Sequence, residues 1–153
     1  MLELSCKWQM AKIQKTAVKQ ILELQDLVEE DVQKYLLRLA NKLGIVEIRD
    51  KAIERLTYAF LPVESKIQLG KELQADSLVL YGYKQLVVMG GGISEENEER
   101  LGQKTTSKLF RIRDAYLLEL RDKGHSFRLT DLIEDKIKEE FAEELKAIEW
   151  VGN

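Results

Sequence analysis

Apolar residues recur every three or four positions along nearly the whole chain, the spacing of one buried helix face. Met10, Ile13, Ala17, Ile21 and Leu24 open the pattern, and Val28, Val32, Tyr35, Leu39 and Leu43 continue it. Asp26 and Glu29 have the spacing of a capping box, which breaks the run into two helices. Gly44 then supplies a left-handed stop. A third helix is predicted from about Glu47 to Leu61, with Ile48, Ala52, Ile53, Leu56, Ala59 and Phe60 inward. Pro62 either ends it or opens the next. Ile67, Leu69 and Leu73 mark a short helix interrupted by Gly70.

The run from Leu78 to Met89 is apolar nearly all round, and Asp76-Ser77 stands before it as an N-cap. Its valines also fit a strand, but strict alternation is absent, so the run reads as a short helix buried in the bundle. Gly90-Gly91-Gly92 reads as a hinge. Ser94 caps a long helix over 95–123, with Leu101, Thr105, Leu109, Ile112, Tyr116 and Leu120 inward and Gly124 at its end. Thr130 caps the last helix, whose core face is Ile133, Ile137, Phe141, Leu145 and Ile148. The expected fold is all-α, a bundle of five to six helices in a single domain over 1–153.

Composition agrees. One proline and nine glycines in 153 residues leave few breakers, and 44% hydrophobic residues suffice for a core. Cys6 and His125 are each the only residue of their type. No internal disulfide and no Cys/His zinc site can be assembled, and no G-x-S-x-G elbow accompanies His125. His125 follows Gly124, where a cation suits the negative end of a helix. No stretch has the length and apolarity of a membrane span, and the first residues lack the pattern of a signal peptide. A cytoplasmic location is expected, with no membrane partner.

The net charge of -3 hides a strong asymmetry. Residues 100–128 hold eight basic and three acidic side chains, a net +5, and residues 129–153 hold three and eight, a net −5. Arg100, Lys104, Lys108 and Arg111 are spaced four, four and three along one side of the long helix, with Arg113 close by. Lys12, Lys15 and Lys19 share a face of the first helix with Trp8. Lines of cations without base-reading groups suit contact with a phosphate backbone. The plainer reading of both rows is a solvated helix face.

Other candidate chemistry is thin. The Gly90–Gly92 loop precedes four glutamates, Glu95, Glu96, Glu98 and Glu99, which repel a phosphate. Glu139, Glu140, Glu143 and Glu144 form an acidic patch that fits a solvated face, a basic partner, or the basic row of this same chain. No nucleophile–base or metal constellation can be composed, so no enzyme activity and no cofactor are expected.

In size and architecture the chain resembles the small helical-bundle subunit of CRISPR type I effector complexes (Cascade). The helix run from Met10 to Trp150, the breaker-poor composition and the basic faces Lys12/Lys15/Lys19 and Arg100/Lys104/Lys108/Arg111 carry the resemblance. In some subtypes that subunit is a separately translated C-terminal piece of the large subunit. The resemblance implies a non-catalytic member of a large protein–RNA complex, with neighbouring copies of itself. Its role would be to brace the guide–target duplex and hold the displaced DNA strand. The acidic net charge departs from a dedicated nucleic-acid binder. The competing expectation is a protein-interaction bundle, an adaptor or phage structural component, with the +5 and −5 segments as head-to-tail surfaces.

Overall fold

The computed structural model describes the backbone of residues 2–24, 29–89, 93–123 and 127–150. Among these residues the fold is all-α, with no strand. Its helices are α1 (Leu2–Leu24), α2 (Glu30–Leu43), α3 (Val46–Tyr58), α4 (Val63–Glu72), α5 (Asp76–Val88), α6 (Glu95–Leu101), α7 (Gln103–Lys123), α8 (Phe127–Glu140) and α9 (Ala142–Ile148). No helix among the described residues is long and apolar enough to cross a membrane. The contacts cluster into two compact units, Met1–Ala59 and Phe60–Val151.

In the first unit, α2 and α3 form a helical hairpin. Gly44 turns the chain at φ 67, and its N–H donates to the Ala40 carbonyl, as the sequence predicts. Leu37, Ala40, Ile48, Ala52, Ile53 and Leu56 fill the space between the helices. Arg49 is nearly enclosed with them, and its Nε donates to Asn41 Oδ1 at 3.1 Å. α1 lies against α3. The predicted two-helix division holds, but the N-cap of α2 is Glu29, and Asp26 lies outside the described residues.

The predicted inward faces of α1 and α2 are mostly outward. On α1, Ile13 is 66% exposed and Leu24 60%; of residues 11–24 only Val18, Ile21 and Leu22 lose much of their exposure, and the side chains of Met10 and Val28 lie outside the described residues. On α2 the buried residues are Gln33, Leu37 and Ala40, whereas Val32, Tyr35 and Leu43 face out. The reason is width. The apolar arc of α2 covers about 200° at ~100° per residue, and the one hairpin partner covers only half of it. Phe60, predicted inward, is fully exposed, because α3 ends at Tyr58 before the chain reaches it.

In the second unit everything is arranged around α5. Leu78, Val79, Tyr83, Leu86 and Val87 are all buried, and α4, α7, α8 and α9 pack around them. The helix reading of this segment is correct, but its N-cap is Ala75, with no side-chain cap. Gly70 does not interrupt α4; it permits close packing. A Cβ there would lie 2.5 Å from Val79 Cγ2 and 2.9 Å from the Ala75 carbonyl oxygen.

Two other elements depart from expectation. Ser94 caps as predicted, accepting from the Asn97 N–H at 3.3 Å. The helix it starts is not one rod over 95–123: Gly102, at φ 81 and ψ 150, divides it into α6 and α7. That conformation is glycine territory, and the bend lets Ile93 and Leu101 pack on the core. The last helix begins at Phe127, so Thr130 lies within it, and it breaks at Phe141 into α8 and α9. Ile133, Ile137 and Phe141 are core, with Leu145 and Ile148 packed on it, as predicted. The Gly90–Gly92 hinge and Gly124 lie outside the described residues.

Gly70→Ala tests the close approach of α4 and α5. Alanine gains up to ~1 kcal/mol of helix propensity, but overpacking costs about 1–3 kcal/mol, and here the opposing atoms include backbone. The expected outcome is a net loss of stability, read as a lower urea midpoint with unchanged slope.

Candidate nucleic-acid interface

The two basic rows fare differently. In the row on 100–113, Lys108 and Arg113 are drawn into the fold, while Arg100, Lys104 and Arg111 stay exposed. Arg100 sits on α6, beyond the Gly102 break, and donates to Glu96 Oε1 at 2.8 Å. Lys104 is exposed at a groove of about 460 Å³ whose lining includes Lys108, Phe141 and the glutamates 139, 140, 143 and 144. The Lys108 Nζ donates to the Glu140 carbonyl oxygen and lies 4.9 Å from the centre of the Phe141 ring. Arg111 reaches the Glu140 carboxylate at 3.7 Å. Arg113 turns inward and donates to the Leu86 and Val87 carbonyls at 3.3 and 3.2 Å. It thereby places a cation on the last carbonyls of α5, where the helix dipole is negative.

Glu140 is the residue of the acidic C-terminal segment that meets the basic segment before it; the other acidic pairs draw on α4, α5 and α8 itself. Glu134 accepts from Lys84 at 3.0 Å and Lys138 at 2.7 Å, and Glu144 pairs with Lys71 at 2.8 Å. Each pair is partly exposed and worth at most about 1 kcal/mol. Of the three readings of the glutamate patch, contact with this chain's own basic segment is the one the geometry bears out for Glu140.

The row on α1 is different. Lys12, Lys15 and Lys19 are all exposed, and among the described residues the one ion pair they make is Lys19 with Glu23, at 3.8 Å and largely exposed. The lysine row lies about 150° around α1 from the Ile13/Ala17/Leu24 row at ~100° per residue. The side chains of Trp8, Cys6 and His125 lie outside the described residues. Among the described residues no three His, Cys, Asp or Glu side chains converge as a metal site.

One cluster escaped the sequence reading. Tyr83 is fully buried, its ring 4.5 Å from Phe141 and its hydroxyl donating to Glu144 Oε1 at 2.7 Å. Burial, reinforced by the adjacent carboxylate, pushes the phenol above its ordinary range. Lys71 closes the group from the other side, 5.8 Å from the Tyr83 ring centre. The available signal was spacing: Glu144 follows the core residue Phe141 by three, which keeps it on the inner side of the chain. Lys66, 4% exposed on α4 and 5.2 Å from the centre of the Tyr81 ring, has its amine pulled down by burial.

Comparison with family models, with curated proteins and with solved structures finds no match for this chain.

The Glu134 carboxyl is held below its ordinary value of 4.5 by hydrogen bonds from Lys138 and then Lys84. A carboxylate lowered in the folded state adds stability above its unfolded pKa and loses it as pH falls through the folded one. Glu134→Gln should therefore cost up to about 1 kcal/mol at neutral pH. The difference from the parent should vanish in acid, as urea melts at a series of pH values would show.

Proposed function

We propose that this chain is a non-catalytic helical subunit of a ribonucleoprotein complex, with α1 as its contact element. The observation that supports the reading is the exposure of α1: of residues 11–20 only Val18 is even half-buried. Such a helix offers two surfaces on opposite sides. Ile13, Ala17 and Leu24 suit a protein neighbour, and Lys12, Lys15 and Lys19 suit a phosphate backbone. A subunit of this kind would have the part that the Cascade resemblance implies, bracing nucleic acid without chemistry of its own. In this reading Arg100, Lys108, Arg111 and Arg113 serve the fold first, and Lys104 is the member of that row left to face a ligand.

The internal pairing of the +5 and −5 segments favours a second reading, a protein-interaction bundle with no nucleic acid. Among the described residues that pairing runs through Glu140, with Lys108 and Arg111, so Lys104, Glu139 and Glu143 stay on the surface for a head-to-tail neighbour.

Binding of labelled single-stranded RNA and DNA across a salt series separates the two. If the α1 lysines follow a backbone, Lys12→Glu, Lys15→Glu and Lys19→Glu together should flatten the salt slope by about 2, from ~0.7 per contact. All sequences should be affected alike, because no base edge is read. Reversing Lys136 and Lys138 should change little. Lys108→Glu is not a clean probe, because that side chain is part of the fold. Salt-independent or absent binding by the parent, together with nuclease-resistant co-purification of a protein that Ile13→Glu abolishes, would transfer the assignment to the adaptor reading.

A further inference from the structure

The outward row of α2 is an exposed apolar surface on the α2–α3 hairpin, flanked by charges of both signs. Val32 is 41% exposed, Tyr35 62% and Leu43 56%, with Leu39 half-buried between them. They lie at steps of three, four and four on one side of a 14-residue helix. The opposite edge of the same apolar arc, Gln33, Leu37 and Ala40, is already buried. A helix that is apolar over so wide an arc has room for two neighbours, and the hairpin supplies one.

The charges beside the row are polarised. Asp31 stands next to Val32 at one end and Lys42 next to Leu43 at the other, eleven residues apart. Both precede their apolar neighbour by one position, so both lie on the same flank of the row. Asp31 is exposed, with Lys34 at 3.2 Å as its partner, and Lys42 is exposed near the C-terminal end.

We infer that α2 pairs with α2 of a second copy of this chain, antiparallel, about a two-fold axis near the middle of the helix. In that arrangement Val32 meets the partner's Leu43 and Tyr35 meets the partner's Leu39, each contact made twice. Antiparallel packing brings like flanks together, so Asp31 faces the partner's Lys42 and Lys42 the partner's Asp31. A parallel pairing would turn those flanks away from each other. Arg38, on the same flank, comes close to the axis, where the ring of the partner's Tyr35 is within its reach. The two α2–α3 hairpins then form a four-helix bundle, with the self-complementary surface that a two-fold dimer requires. One short helix makes a small interface, so the dimer should dissociate in the micromolar range. The inference goes beyond the role of α1 in assembly and uses none of its residues.

Sedimentation equilibrium of the full chain tests it. The mass should rise from 17.7 kDa toward twice that value as concentration increases to ~100 μM. Tyr35→Glu and Leu43→Glu should hold the protein at monomer mass with an unchanged circular dichroism spectrum, since both side chains are exposed. Asp31→Lys alone, or Lys42→Glu alone, should weaken the dimer roughly five- to tenfold by setting like charges opposite one another. An equimolar mixture of those two variants should recover it, because each repulsion becomes an attraction. A parent that stays monomeric, a dimer that survives Tyr35→Glu, or a mixture that does no better than its components would each overturn the inference. The nucleic-acid and pull-down assays on α1 would be untouched by any of these results.

Discussion

One whole side of α5 is apolar and buried. Leu78, Val79, Tyr83, Leu86 and Val87 span about 180° of it at ~100° per residue, so the helix needs neighbours across that half, while Ser77, Lys84 and Val88 lie on the other. That single demand organises residues 60–151. It brings α4 close enough that a glycine is needed at position 70. It draws α7, α8 and α9 against the rest of that side. It also determines the fate of the charges on those helices, because a helix that must turn its apolar side inward has little freedom in where its lysines and glutamates go. Lys108, Arg111 and Arg113 meet acceptors on α5, α8 and the α8–α9 turn for this reason.

The consequence for function is a division of labour between the two basic rows. Cations on 100–113 are committed to backbone carbonyls, an aromatic ring and glutamates, with Lys104 left exposed. On α1, Lys12 and Lys15 have no acidic partner among the described residues, and Lys19 pairs with Glu23 on the exposed surface. A sequence scan scores both rows alike, because it counts charges along one helix and cannot see carboxylates arriving from another. Nothing on α7 itself announces that Glu140, on α8, meets both Lys108 and Arg111.

Helix type and core membership were legible wherever one element saturates its neighbour. Ile133, Ile137 and Phe141 were read correctly from spacing, as were Leu109 and Ile112, and so was the burial of α5. Legibility failed where burial depends on how many partners a helix finds. Ile13, Ala17, Leu24, Val32, Tyr35 and Leu43 have the spacing of a core face, and nothing local to them says whether a neighbour is present. It failed again at chain breaks set by tertiary packing. Gly102 looks like a tolerated glycine within a helix until Ile93 and Leu101 are seen on the core. Tyr83 and Glu144, 61 positions apart, could not be paired from sequence at all.

The break at Gly102 has a mechanical side. A continuous helix from Ser94 to Lys123 would be a strut about 43 Å long at ~1.5 Å per residue, and a push at one end would arrive at the other. At Gly102 the strut becomes two arms joined by a residue with no side chain and open space where a Cβ would stand. Load applied to α6 is taken up by torsion at that joint instead of being passed along α7. Because Ile93 and Leu101 themselves pack on the core, the two arms grip that core from two directions and not as one lever.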